Sequence, residues 1–305
     1  MARAPKISNV DLNLLRVFVA VVDSGGFTAA RTELNVSQPT ISVKMSDLES
    51  RLGLRLCERG RGGFRLTSEG QRVYEAALNL FQSLDTFRAE IGSVSGRLMG
   101  DLHIGIADAT VTNGELKLNE AIKRFKDKAP FVHIHLHVAS ALELELGLVE
   151  DRLHAVIGPL QRRRPELVYA PILVEEQTLY CGRNHAFFQR APDGIELSEL
   201  SGVEFVRRGY LVHWQAPLDI QFKPTATTVH MEATTRLVLG GTHIGYLPVH
   251  HARYWVERDD LRPILPRRLS YGSPFLLATR RSLGSATLRR FLRDFRSVQE
   301  HPPLA

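Results

Sequence analysis

Residues 37–53 read SQPTISVKMSDLESRLG, and the rest of the chain is organised around them. Ser37 suits a helix N-cap, and Pro39 sits in the first turn, where its missing N–H leaves no intrahelical bond unmade. Ile41, Met45, Leu48 and Leu52 follow at helical spacing and share one apolar face. Upstream, Thr28 to Leu34 reads as a short helix and Asn35-Val36 as a tight turn. The unit is helix, turn, helix, the arrangement that lays its second helix in the DNA major groove. Its exposed polar groups are Gln38, Thr40, Ser42, Lys44 and Ser46.

Before this unit, Asp11 to Ser24 carries Leu12, Leu15, Phe18, Val19 and Val22 on one helical face and stops at Gly25-Gly26. After it, residues 54–70 read LRLCERGRGGFRLTSEG, in which Gly60, Gly62 and Gly63 permit a turn between two extended pieces, Leu54 to Glu58 and Phe64 to Thr67. That hairpin is a wing. Arg51, Arg55, Arg59, Arg61 and Arg65 stand there against the single acid Glu58, placed to meet phosphates or the minor groove.

Ser68 and Gln71 match a capping box that opens a long helix. Val73, Ala77, Leu80, Leu84, Phe87, Ile91 and Val94 then alternate in steps of four and three, the seam of a coiled coil, so Leu80, Leu84, Phe87 and Ile91 are expected to pair with a second copy. Ser95-Gly96 breaks the pattern. The expected domains are a DNA-binding domain at 1–67, a linker helix at 68–97 and a further domain at 98–305.

From Gly100 strands alternate with helices: Asp101 to Ile106, Glu115 to Lys128, Val132 to Val138, Ala141 to Glu150 and His154 to Gly158. This βαβαβ series predicts a parallel sheet with right-handed crossovers. A second block holds strands near Gln177 to Cys181, Gly202 to Val206 and Ile244 to Leu247, and a helix at Met231 to Leu239. Pro274 to Ala278 reads as a last strand and Ser285 to Val298 as a basic helix. Two α/β lobes result, about 98–171 with 272–305 and about 172–271, with a cleft at the strand C-termini.

The 305 residues hold 39 Lys+Arg against 33 Asp+Glu, a net +6 that suits a polyanionic partner, and 44% hydrophobic content is ordinary for a soluble globular protein. Cys57 and Cys181 are the only cysteines, which excludes a disulfide framework and zinc C-x-x-C spacing and fits a reducing compartment. Neither a signal core nor a run of ~18 apolar residues occurs, so the chain is expected to be cytoplasmic and free of the membrane. No G-x-S-x-G, H-E-x-x-H or phosphate-loop pattern nominates a catalytic group, and the chain is read as no enzyme, with no cofactor and no metal. His133, His135 and His137 alternate along one strand face, where imidazoles at i and i+2 make a metal site conceivable, but with no Cys or carboxylate cluster fixed nearby by sequence they read as a polar edge or a subunit contact. The arginines between Arg280 and Arg296 read as a solvated helix face.

With these motifs in order, the chain resembles the LysR-type transcriptional regulators along its entire length. The specific evidence is SQPTIS, LESRLGLRLCER, the wing and LTSEG in the family's order, with LHIGI and GGTHIGYLP supporting it further on. The resemblance implies an α + α/β fold: a winged helix-turn-helix, a dimerising linker helix and a two-lobed α/β effector domain similar to periplasmic solute-binding proteins. It implies DNA contacts from Gln38, Pro39, Thr40, Ser42 and Lys44 in the helix and from Arg59 and Arg61 in the wing. Val43 stands where the family often has Arg, which shifts the expected readout towards a thymine methyl. The implied partners are double-stranded promoter DNA, further copies of the chain in a homodimer or homotetramer, a small-molecule effector, and RNA polymerase if the output is activation.

The effector would meet the loop after the first strand, with Asp108, and with Thr110 and Thr112 placed at the ligand by family position. From the second lobe come Arg207, Arg208 and His213 after one strand, His230 before a helix and Tyr246 at a strand end. Positive and hydrogen-bonding groups outnumber negative ones. The expected effector is therefore a small organic anion, one whose amine, if it has one, Asp108 could pair, and binding is expected to close the lobes slightly. The alternative is a non-catalytic small-molecule-binding protein in which the N-terminal segment serves only dimerisation.

Overall fold

Ser8 opens the first helix by a reciprocal cap: its hydroxyl accepts the Asp11 N–H while the Asp11 carboxylate takes the Ser8 N–H at 2.6 Å, and α1 (Asn9–Asp23) follows. The structure is a computed structural model that describes residues 8–60, 63–94, 98–160, 164–209, 217–282 and 284–299. α2 (Phe27–Leu34) ends on Asn35 in the left-handed conformation, and α3 (Gln38–Leu52) starts from Ser37, whose hydroxyl accepts the Thr40 N–H. Ile41, Met45 and Leu48 of α3 are fully buried with Phe18, Val21 and Ala30. The wing is an antiparallel pair, β1 (Cys57–Gly60) and β2 (Gly63–Leu66). Glu49 fixes its base, since one carboxylate oxygen accepts the N–H groups of Leu56 at 2.7 Å and Cys57 at 3.3 Å.

α4 (Ser68–Val94) takes its cap from Thr67, where the sequence points to Ser68. The Thr67 hydroxyl accepts the Gly70 N–H at 2.9 Å and donates to the Arg55 carbonyl at 2.6 Å, so one side chain both starts the helix and ties it to the wing. A Cβ on Gly70 would lie 1.9 Å from the Leu56 carbonyl oxygen, a contact that only glycine removes. Val73, Tyr74, Ala77, Leu80 and Phe81 pack on the core of the same domain. Leu80, the first residue of the expected seam, is half-buried and packs on the core of its own domain. Leu84 is half-buried, while Phe87 and Ile91 are 59% and 54% exposed.

The chain divides into two compact units, Met1–Phe87 and Arg88–Ala305. The second contains β3 (Met99–Ile106), α5 (Leu118–Lys128), β4 (Phe131–Val138), α6 (Ala141–Val149), β5 (Ala155–Gly158), β6 (Leu167–Gly182), β7 (Glu204–Arg208), β8 (Lys223–Thr228), α7 (Met231–Leu239), β9 (Gly245–Pro248), α8 (Val249–Glu257), β10 (Leu261–Pro263), α9 (Pro266–Leu269), β11 (Tyr271–Arg280) and α10 (Ala286–Gln299). β3 pairs in parallel with β4 and β5, as the βαβαβ reading requires. β11 is antiparallel to β5 and to β6, and β9 and β10 flank the far end of β6. In the first lobe Leu102 and Ile104 of β3 face Phe125 of α5 and Phe291 and Phe295 of α10, while α6 packs Leu144 and Leu148 in a separate cluster with Val156 and Leu276. The sequence shows β6 only as a strand near Gln177 to Cys181. It is a single sixteen-residue strand that runs through both lobes.

β4 is an edge strand, and its histidines gain company that periodicity along one strand does not show. His103 of β3 stacks on His135 at 4.2 Å, its Nδ1 is 3.3 Å from His137 Nε2, and His154 Nδ1 accepts the His103 backbone N–H at 3.1 Å. Burial, with the neighbouring imidazoles, pushes the His103 pKa down to about 4.

The basic last helix is bound to α5 through Asp294, which is 2% exposed and accepts Arg290 Nε at 2.7 Å and Lys128 Nζ at 3.1 Å. Burial pushes its carboxyl up, but the two cations outweigh that and hold it below the usual carboxylate range. A depressed carboxylate stabilises the fold above the unfolded pKa of about 4 and loses that contribution as pH falls through the folded value. Asp294→Ala should cost about 3 kcal/mol in urea unfolding at neutral pH, and the loss relative to the native chain should shrink below about pH 4.

Candidate functional site

Two surfaces carry the candidate residues. On α3, Gln38, Pro39 and Thr40 are exposed in the first turn, Val43 is 69% exposed, and Ser42 and Lys44 are half-buried. The buried stripe of Ile41, Met45 and Leu48 fixes which residues point outward. The Thr40 hydroxyl shares a 2.8 Å hydrogen bond with Ser37, so the cap already uses it. Arg55 and Arg65 are exposed and Arg59 lies in β1, whereas Arg61 lies outside the described residues. Arg51 pairs with Asp47 at 2.9 Å and Asp11 at 3.3 Å, which clamps α1 to α3.

The second surface is the cleft of the α/β unit, where β6 crosses between the lobes. The side chains that converge there are Asp108, Ser140, Glu175 and Arg208, around a cavity of about 20 Å³. Arg207 and Arg208 alternate along β7, and Arg207 is exposed while Arg208 is buried. The guanidinium of Arg208 donates to Gln177 Oε1 at 2.7 Å and to the Tyr246 carbonyl at 2.8 Å, and Gln177 in turn donates to Glu175 at 2.6 Å. A buried cation and a buried carboxylate are thus joined through one amide, which spares each from facing the low dielectric alone.

Asp108 spans the cleft. Its carboxylate accepts the N–H of Met231, the first residue of α7, and lies 3.8 Å from His230 Nδ1. The free N–H groups of a helix N-terminus favour such a negative charge. Thr112 and His250 bridge the lobes a second time: the Thr112 hydroxyl is 2.8 Å from His250 Nδ1, and His250 Nε2 is 2.8 Å from Glu175. A groove of about 660 Å³ shares Asp108 with the cleft and has His230, Thr235, Arg236, His251 and Trp255 on its walls.

Two of the expected effector residues point elsewhere. Thr110 is buried and its hydroxyl donates to the Ala107 carbonyl at 3.1 Å, because the loop folds there into a 3-10 turn. The Tyr246 ring packs in the second-lobe core beside Phe205 and Tyr271, on the side of β9 that faces Leu179, and only its carbonyl reaches the site. His213 lies outside the described residues. Glu175, Gln177 and His250 were not singled out from the sequence; the signal available was the run Glu175-Glu176-Gln177-Thr178, four consecutive polar residues inside an otherwise apolar strand.

The family model described as the bacterial regulatory helix-turn-helix protein, lysR family, matches residues 12–71, and the LysR substrate binding domain matches residues 95–300. The chain belongs to the LysR family. It is a DNA-binding transcriptional regulator with an effector-binding domain, and the family is one of regulators, not enzymes. Among relatives of this LysR regulator, the HTH-type transcriptional activator BauR of Pseudomonas aeruginosa is 38% identical over 289 residues, which cover 94% of this chain and 95% of the relative. The HTH-type transcriptional regulator BenM of Acinetobacter baylyi is 27% identical over 63% of this chain and 62% of its own. The solved structure of full-length CbnR with its target DNA has the same fold, with a TM-score of 0.64 at 21% identity over 95% of this chain and 100% of that one. Among the described residues no single helix is long and apolar enough to cross a membrane, and both cysteines are buried and outside any disulfide, with burial pushing the Cys181 thiol up to about 11.

In this LysR regulator the Thr112–His250–Glu175 bridge is testable by stability alone. His250→Phe removes a partner of the buried Glu175 carboxylate and should cost about 2–3 kcal/mol in urea unfolding. The double variant with Glu175→Gln should recover part of that loss, since the uncompensated charge is then gone; additive losses would mean the two side chains are not coupled.

Proposed function

We propose that this regulator binds promoter DNA through Gln38, Pro39, Thr40, Ser42, Val43 and Lys44, with Arg59 and Arg61 of the wing on the phosphates or in the minor groove. It does so as a homodimer or homotetramer paired along Leu80, Leu84, Phe87 and Ile91, since a pair of recognition helices is needed to read two half-sites. Two large apolar side chains left exposed on α4 support the pairing. The activator named among its relatives supports an activating output, with RNA polymerase as the partner. Val43, a branched apolar side chain standing in water on an otherwise polar helix face, supports a thymine methyl as its contact.

The effector is a small organic anion held where the lobes meet. The observation that carries this reading is Arg208, a guanidinium buried beside the cleft cavity and held in place by its hydrogen bonds to Gln177 Oε1 and the Tyr246 carbonyl, a positive charge next to which a carboxylate is favoured. An amine on the effector would compete with the Met231 N–H and His230 for Asp108. The cavity of about 20 Å³ holds about one water. Entry therefore requires the lobes to part, and the slight closure expected from the sequence applies only after an opening.

Full-length protein screened by thermal shift against organic acids, amino acids and neutral metabolites should be stabilised by an acid or amino acid. Arg208→Ala should abolish that shift and the promoter response while operator affinity stays within about two-fold. Stabilisation by neutral apolar compounds alone would remove the anion reading. On the DNA side, Val43→Ser should cost about 1 kcal/mol on the native operator and nothing once the contacted thymine is replaced by uracil, measured by gel shift at fixed salt. An equal loss on both DNAs would exclude the methyl contact.

A further inference from the structure

The histidines on the first-lobe sheet take no part in the DNA surface or the effector cleft. Asp101, His103, His133, His135 and His137 alternate on neighbouring parallel strands, with Asp101 opposite His133 and His103 opposite His135. His137 is exposed and His103 half-buried, so the face is open to solvent at their rings. His103 Nδ1 and His137 Nε2 face each other at 3.3 Å, with the ring planes 19° apart.

Two imidazole nitrogens at that separation are either a hydrogen-bonded pair or two corners of one coordination shell. Nitrogens bound to zinc at about 2.0–2.1 Å in a tetrahedron stand about 3.3–3.4 Å apart. The octahedral and square-planar geometries preferred by nickel and copper bring cis nitrogens closer, to about 2.8–3.0 Å. We propose that His103 and His137 form a zinc site that clips the edge strand β4 to β3. Among the described residues no group of three or more His, Cys, Asp or Glu is arranged to hold a metal ion, so the protein supplies two ligands and water the rest.

The surroundings hold the two rings in place. His135 stacks on His103 at 4.2 Å and its Nε2 is 2.9 Å from Asp101, which anchors the stack, while the His154 bond to the His103 backbone N–H fixes the strand beneath. Arg152, whose charge acts on His137, is turned to Glu150 at 2.8 Å. Ligation requires both facing nitrogens to be unprotonated, with the ring protons on His103 Nε2 and His137 Nδ1.

The experiment is calorimetric titration of metal-stripped, full-length protein with zinc chloride, paired with thermal unfolding in zinc and in chelator. The native chain should bind one zinc per chain saturably and unfold at higher temperature in zinc. His103→Gln and His137→Gln should each weaken binding by about ten-fold or more, while His185→Gln, in the second lobe, should leave it unchanged. His137→Gln alters an exposed side chain, and unchanged circular dichroism would establish that it folds. Absence of saturable zinc binding in the native chain, or binding retained in both cluster variants, would overturn the site and leave the 3.3 Å contact as a hydrogen bond.

Discussion

The antiparallel pairing of β6 with β11 is the constraint on which the whole effector domain rests. Leu167 to Gln177 pair with Tyr271 to Arg280, β5 pairs with the free edge of β11, and β9 and β10 pair with the part of β6 that continues beyond. Both lobes are thus extensions of one two-stranded ribbon. A change in the angle between them has to be absorbed by the twist of that ribbon, and its register shifts between Phe275 and Leu276, where an irregularity already interrupts the regular ladder. The ribbon can twist there at less cost than in the regular pairs on either side.

The polar network of the cleft sits on the same ribbon. Glu175 and Gln177 are neighbours on one face of β6, and through them the strand reaches His250 on α8 and Arg208 on β7. Burying a carboxylate and a guanidinium is costly unless each finds partners, so these side chains hold the second lobe in register with the crossing strand. Asp108 adds a link from the first lobe to the start of α7. A ligand that enters must exchange bonds with groups already bonded to one another, and its free energy of binding is the difference between the two sets.

Much of this architecture is legible in the sequence, and the exceptions have physical causes. The helix-turn-helix is plain because capping residues and a 3.6-residue apolar period agree over Ser37 to Gly53, and α7 has the bounds its pattern predicts. β6 is harder because Pro171 and the polar residues from Glu175 to Thr178 interrupt its apolar pattern, and those residues serve the cleft. β8 reads KPTATT, mostly exposed, and α8 follows Pro248 directly with Ala252 its one buried residue, so neither announces itself by period. Which of Arg207 and Arg208 turns inward depends on strand parity, which two identical neighbours cannot reveal. The pairing of His103 with the histidines of β4 depends on the register between strands, a property of the fold alone.

Gly70 brings the start of α4 into backbone contact with Leu56, at the foot of the wing, and Thr67 bonds both. Nothing compressible lies between them: no side chain separates the helix from the carbonyl it touches. The wing and the first turn of α4 accordingly form a crank of fixed angle. A rotation of that turn about its own axis is passed directly to the base of the wing, so the direction in which the hairpin leaves the domain is set by the helix and not by the hairpin's own sequence.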